Sequence, residues 1–256
     1  MARIVVAAFV ALAGFCVRAQ EVVFDDPKGD DTGPGGYTYP LDRVYKPGSF
    51  DITQLRVMQK DDKVTFELAV NSDLEDRWGM GAGFAVQMAF IHVRTGAGGF
   101  TEGIPGTNVS FAPDSAWNKV VILSPQKPFV VKREVTGKCD ARMAAAALAP
   151  EARGKGRVIG ATVDKKDLGE GDITTWGYQV LMQSNEGFPA SGDVLTRKVN
   201  SAREQHRFGG GDDGDCDPHV MDILGTPEQQ KAWLAYECGP DGSSRKKATL
   251  QMVRLP

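Results

Sequence analysis

Val64, Phe66, Leu68 and Val70 alternate with polar or small residues, and Leu55 and Val57 precede them across Lys60-Asp61-Asp62. A period of two turns one side of each segment inward, so the pattern predicts two antiparallel strands joined by a hairpin. The run from Phe84 to Val93 is apolar on both alternating faces and follows the glycine-rich segment 78–83. It predicts a central strand buried on both sides. Further strands are expected at Lys119–Leu123, Phe129–Val135, Arg157–Val163, Trp176–Gln183 and Thr249–Leu255, separated by glycine and proline turns. This spacing fits a sandwich rather than βαβ units, in which every parallel strand needs a crossover helix. Two helices stand out. Thr226-Pro227-Glu228-Gln229 supplies an N-cap, a proline at the first helical position and a capping-box glutamine. The alanine-rich stretch from Ala141 to Ala149 is the second, stopped by Pro150. The expectation is an all-β antiparallel β-sandwich with one or two short helices.

The chain's first residues carry a different pattern. Arg3 gives a positive start, Ile4 to Phe15 an apolar run, and Val17-Arg18-Ala19 the small residues of a cleavage site before Gln20. Residues 1–19 are therefore read as a signal peptide and residues 20–256 as a single β-sandwich domain in an extracytoplasmic compartment, periplasmic, secreted or cell-surface. Phe15 before Cys16 argues against a lipoprotein signal, and no later apolar run is long enough for a transmembrane helix. Without Arg3 and Arg18 the formal charge moves from −3 to about −5, a mildly acidic balance that offers no field for nucleic acid. Loss of Cys16 leaves Cys139, Cys216 and Cys238. At most one internal disulfide can form; Cys216 with Cys238 is the expected pair because they flank one compact segment, although spacing alone does not fix connectivity.

Chemistry-bearing residues concentrate in two acidic loops. The first, Phe24-Asp25-Asp26-Pro27-Lys28-Gly29-Asp30-Asp31-Thr32-Gly33, crowds four carboxylates among turn residues. Such groups repel one another unless they are solvated or bridged by a hard cation with six to eight oxygen ligands. The second, Gly209-Gly210-Gly211-Asp212-Asp213-Gly214-Asp215-Cys216-Asp217-Pro218, begins like an EF-hand, but Pro218 stands at the sharp-turn position and Leu224 at that of the bidentate glutamate. Both loops read either as calcium sites or as solvated acidic turns. His92, His206 and His219 belong to no metalloprotease or nucleophile-elbow motif, and no residue stands out as a general acid. Trp78, Trp117 and Trp176 are candidate platforms for sugar rings, Trp78 foremost because it lies in a glycine-rich loop; core packing is the competing role for each.

Several blocks together resemble a known family: Asp26-Pro27-Lys28-Gly29-Asp30-Asp31-Thr32-Gly33-Pro34-Gly35 with Tyr37-Thr38-Tyr39-Pro40, Phe50-Asp51-Ile52, Trp78-Gly79 with Gly83-Phe84, Ile104-Pro105-Gly106-Thr107-Asn108, Trp176-Gly177-Tyr178, and Gly209-Gly210-Gly211-Asp212-Asp213 before Pro218-His219-Val220-Met221-Asp222. Their content and order are similar to the C-terminal domain of glucodextranase and related amylopullulanase modules. The insert around Cys139 and the Cys216 to Cys238 region depart from that pattern. The resemblance implies a DOMON-like sandwich of jelly-roll type, related in architecture to family 9 carbohydrate-binding modules, acting as an accessory domain for polysaccharide or cell-surface attachment. It implies a non-catalytic exported module that binds polysaccharide or a cell-envelope glycan. The expected calcium ligands are Asp25, Asp26, Asp30, Asp31, Asp212 and Asp213, and the sugar platforms Trp78, Trp117 and Trp176. A haem-binding or redox module using Met80, Met88 or His92 is the competing reading from DOMON-like relatives, and a polysaccharide hydrolase is a third.

Overall fold

The computed structural model describes residues 20–213 and 215–255; the signal-peptide reading of residues 1–19 lies outside them. In chain order the elements are β1 (Gln20–Asp25), β2 (Ile52–Lys60), β3 (Lys63–Val70), β4 (Gln87–Arg94), β5 (Val109–Phe111), β6 (Lys119–Leu123), α1 (Pro128–Lys138), α2 (Ala141–Ala146), β7 (Ala147–Leu148), β8 (Arg153–Lys155), β9 (Val158–Asp164), α3 (Lys165–Leu168), β10 (Gly177–Ser184), β11 (Asp222–Ile223), α4 (Pro227–Trp233), β12 (Glu237–Cys238), β13 (Ser244–Lys246) and β14 (Ala248–Leu250). Two five-stranded sheets form the body, in the orders β1-β2-β3-β9-β8 and β11-β10-β4-β6-β7. The fold is an all-β sandwich.

Alternation explains the first sheet. Val22 and Phe24, Leu55 and Val57, Val64, Phe66 and Leu68, and Ile159 and Ala161 all point into the space between the sheets. Its outer face is polar, laced by Arg56 with Glu21 and by Lys63 with Asp164. The second sheet is buried on both faces. Ala89, Ile91 and Val93 of β4 join the inter-sheet core, while Met88 and Phe90 join a second cluster under α1, α2, β5 and β14. That third layer is why the Phe84–Val93 run lacks a polar face, although the strand itself begins at Gln87.

Two expectations change. Phe129–Val135 is not a strand but part of α1, with Pro128 in its first turn. A strand would place Phe129, Val131, Arg133 and Val135 on one face, burying a charge. The helix instead buries Val131 and Val135, four apart, and leaves Phe129 and Arg133 outside. The C-terminal strand is shorter than expected, ending at Leu250, with an isolated bridge from Val253 to Tyr178. The Thr226 capping box forms as read, and Cys216 and Cys238 are bonded to each other. Cys139 is free among the described residues, half-buried at the end of α1, where burial pushes its thiol up to about 11. Among the described residues no helix is long and apolar enough to cross a membrane.

Strand direction gathers the long connections at one end. β1, β3, β6 and β10 all finish there, and β2, β4 and β9 all start there. Segments 26–51, 71–86 and 185–221, including both acidic loops, therefore share one end of the sandwich.

Candidate functional site

β1 is the edge of one sheet and β11 the edge of the other, so the gap between the sheets opens beside them. Carboxylates close it. Asp26 follows β1, Asp51 precedes β2, and Asp222 lies in β11, paired with Met182. The Asp222 carboxylate accepts from the amide of Ile52 at 2.6 Å and of Ile223 at 2.8 Å, tying the sheets together. Asp26 Oδ1 accepts from Gly225 N at 2.8 Å, and Asp51 Oδ2 from Gly29 N at 2.8 Å and Asn71 Nδ2 at 2.9 Å. Asp31 accepts the hydroxyl of Tyr39. Gln230 of α4 braces the loop, donating to the carbonyl of Asp30 while accepting from Ile223 N. Gly33 has φ +60°, and a Cβ there would meet the Tyr37 ring at 2.3 Å, so the turn requires glycine.

One oxygen from each of Asp26, Asp30 and Asp222 lies within 4.8 Å of the others. Asp26 Oδ2, both oxygens of Asp30 and Asp51 Oδ1 are buried without a hydrogen-bond partner among the described residues. Burial first, then neighbouring carboxylates, pushes Asp26 up to about 8 despite the Gly225 amide. Burial likewise raises Asp30 to about 6 and lifts Asp31 and Asp51 above the usual carboxylate range. Burial, with the neighbouring Asp26 and Asp30 carboxylates, also raises fully buried Asp222 well above the usual carboxylate range. Buried oxygens without donors, converging from several segments, match the all-oxygen ligand preference of calcium or magnesium.

The expected ligand set is thus rearranged. Asp26 and Asp30 come together, and Asp31 stands beside them through Tyr39. Asp25 does not join: the β-alternation that buries Phe24 turns its side chain outward to Gln54. Asp51 and Asp222, which no sequence argument named as ligands, complete the cluster; the signal was their place in the blocks that carry the family resemblance, not any local spacing. The second loop contributes nothing to it. Asp213 accepts from the amide and hydroxyl of Ser201 at 2.7 and 2.6 Å. Asp212 lies near the sulfurs of Cys216 and Cys238, which are bonded to each other and so offer no thiolate.

The tryptophans divide as well. Trp117 and Trp176 are core residues, 0% and 1% exposed, and are corrected as platforms because no ligand could reach their faces. Trp117 stacks near Phe100 and donates to Glu102 O at 2.9 Å, while Lys165 lies over Trp176. Trp78 is 37% exposed at the loop end. It packs edge-on to Tyr45 and His206, with the Arg197 guanidinium 5.9 Å from its ring centre. A run of ring contacts leads from it to the carboxylates: Tyr45 meets Phe208 at 6.1 Å, Phe208 meets Tyr39 at 5.0 Å, and Tyr39 holds Asp31. His92 and Met88 sit in the second core cluster, where His92 packs on Phe111 and Trp117 and burial pushes it down to about 3. Met80 belongs to neither cluster; its amide caps Asp76 in an outer turn.

A search among curated proteins finds no match. Residues 22–253 match a family model described as the C-terminal binding-module, SLH-like, of glucodextranase. That span takes in both sheets, the carboxylate cluster, the aromatic run and the second acidic loop, and the chain belongs to this family of binding modules.

Proposed function

We propose that this chain is an exported, non-catalytic module that binds polysaccharide or envelope glycan at the loop end of its sandwich, with calcium ordering the first acidic loop. Asp26, Asp30 and Asp222 would hold the ion, with Asp51 and Asp31 beside them. A divalent cation supplies the positive charge that five crowded carboxylates otherwise lack. The observation that carries this reading is the run of contacts from Asp31 through Tyr39, Phe208 and Tyr45 to the exposed ring of Trp78. Fixing the loop fixes Tyr39, which fixes the rings behind Trp78. The platform is then set before a sugar arrives, and less entropy is lost on binding. The disulfide supports an oxidising compartment.

The test is affinity electrophoresis of the protein through gels containing starch, pullulan, dextran or envelope polysaccharide, with calcium and with chelator. Retardation in at least one glycan, weakened by chelator and reduced about tenfold in affinity by Trp78→Ala, is expected, in line with the loss of one buried aromatic contact. Unchanged mobility in every gel would sink the glycan-binding reading.

A further inference from the structure

Carboxylates close the gap between the sheets where β1 ends, but alongside β1 the gap opens as an apolar groove of about 370 Å³, within the size range of ligand sites. Val23, Phe24 and Pro27 line one side of it, and Leu224, Val253 and Leu255 come from the segments after β11 and β14. Val23 and Leu255 are among the few large apolar side chains that the described residues leave exposed. Apolar surface gathered around one groove, rather than scattered singly, is the pattern of an interaction site.

β1 is also an edge strand, paired with β2 alone. Asp26 N donates to Thr53 O at 3.0 Å, and along an antiparallel ladder such bonded residues alternate with unbonded ones. The N–H and C=O groups of Val22 and Phe24 therefore face β2, whereas those of Glu21, Val23 and Asp25 face the open side. Gln20 ties the start of the strand to Asp172 at 2.6 Å, but no segment among the described residues pairs with the backbone of Val23 or Asp25 on that side. Such an edge accepts an added strand, whose main chain supplies hydrogen bonds while alternate side chains enter pockets.

An added strand would send every second side chain toward Phe24, Leu224 and Val253, and the others onto the outer face beside Glu21, Val23 and Asp25. The inward side chains meet the apolar groove. The outward ones meet acid: Glu21 is held by Arg56, but Asp25 has only the neutral amide of Gln54 as a partner among the described residues. Arg254 borders the groove yet carries its guanidinium over Gly177, with its carbon 3.4 Å from where a Cβ there would stand. A second copy is a poor occupant, since antiparallel pairing of two β1 strands about Val23 sets Glu21 opposite Asp25 twice, and like charges directly opposite are destabilising. We infer that this groove docks an extended peptide segment of a partner protein, one in which apolar residues alternate with Lys or Arg, added as a strand to β1. Trp78 is not part of the groove, and the inference stands independently of glycan binding.

The experiment is fluorescence anisotropy of the full chain with three labelled hexapeptide probes: alternating valine-lysine, alternating valine-glutamate, and valine-lysine N-methylated on its lysine amides, which would face β1. Binding of the first is expected, with the methylated probe weaker by about tenfold through lost main-chain hydrogen bonds and the glutamate probe weaker still. Asp25→Lys should weaken binding of the first probe about fivefold. Val23→Pro, which removes an outward N–H and crowds the edge, should weaken it by about tenfold, with thermal melts to confirm folding. Should Val23→Pro fail to fold, Asp25→Lys and the methylated probe decide. No binding of the valine-lysine probe, or equal binding of the methylated one, would overturn the inference, and affinity unchanged by Asp25→Lys would overturn the basic specificity. A concentration-dependent dimer in sedimentation that Val23→Pro abolishes would also overturn it, because the occupant would then be a second copy.

Discussion

The two acidic loops share one end of the sandwich and nearly the same composition, yet they use their carboxylates in opposite ways. At the first, Asp26 and Asp30 turn inward to meet Asp51 and Asp222, and several oxygens of Asp26, Asp30 and Asp51 are buried with no donor among the described residues. In the second, the side chains of Asp213 and Asp215 turn outward to Ser201, Lys198 and His219. Burial raises the first group, whereas hydrogen bonds from Ser201 hold Asp213 below the usual range. What makes a cation site is therefore not the number of aspartates but the shortage of other donors once they are buried. Glycine-rich turns supply the bend in both loops; Asp217 of the second is buried too and accepts the Tyr37 hydroxyl at 2.9 Å, but only at the first do the sheet edges bury several carboxylates against one another.

The largest expected effect follows from filling that shortage. Calcium at a thousandfold excess over its dissociation constant would stabilise the folded chain by about 4 kcal/mol. At about 2–4 °C per kcal/mol for a chain of this size, the melting temperature should rise by roughly 8–16 °C over the chelated protein. The double variant Asp26→Asn, Asp30→Asn should lose that rise, and Asp212→Asn with Asp213→Asn should keep it. Scanning calorimetry of the three proteins checks the contrast; an equal response from all three would abolish it.

A smaller effect concerns pH. Asp26 is raised from 3.8 to about 8 and Asp30 to about 6, so the folded state holds more protons than the unfolded state across this window. Stability then falls as pH rises. In chelator the contribution of these groups is fully present below about pH 4 and lost progressively up to about pH 8. Calcium competes with those protons and should flatten the slope. Melts from pH 4 to 8 with and without chelator read the difference; a chelated protein whose stability rises steadily over this range would contradict the burial of the cluster.

Most of the frame was legible in the chain. Alternation gave β2 and β3, two-sided apolarity gave β4, and Thr226 with Gln229 marked α4. The site was legible only in half. Asp26 and Asp30 sit close in sequence, but Asp51 and Asp222 reach them through strand pairing and the meeting of two sheet edges, which no local spacing encodes. Asp25 misled because adjacency on a strand means opposite faces. Phe129–Val135 misled because Val130, Val131 and Val135 favour strands by type, while Pro128 and the four-residue spacing of the buried valines carried the helix. Trp117 and Trp176 look like Trp78 in sequence; a third layer over β4 and the inter-sheet core decide their burial.

The smallest effect belongs to the second loop. Asp213 is exposed, and its carboxylate serves the amide and hydroxyl of Ser201, groups that water can reach when the side chain is cut away. Asp213→Ala should therefore cost no more than about 1 kcal/mol, since an exposed hydrogen bond is exchanged for one to solvent. The melting temperature should move by at most about 4 °C. The decisive readout is not that shift but the calcium response measured on the same variant. If the rise with calcium is intact, the second loop is a polar wall built from ordinary hydrogen bonds. If Asp213→Ala removes it, a cation is held there too, and the difference between the loops lies in affinity rather than in kind.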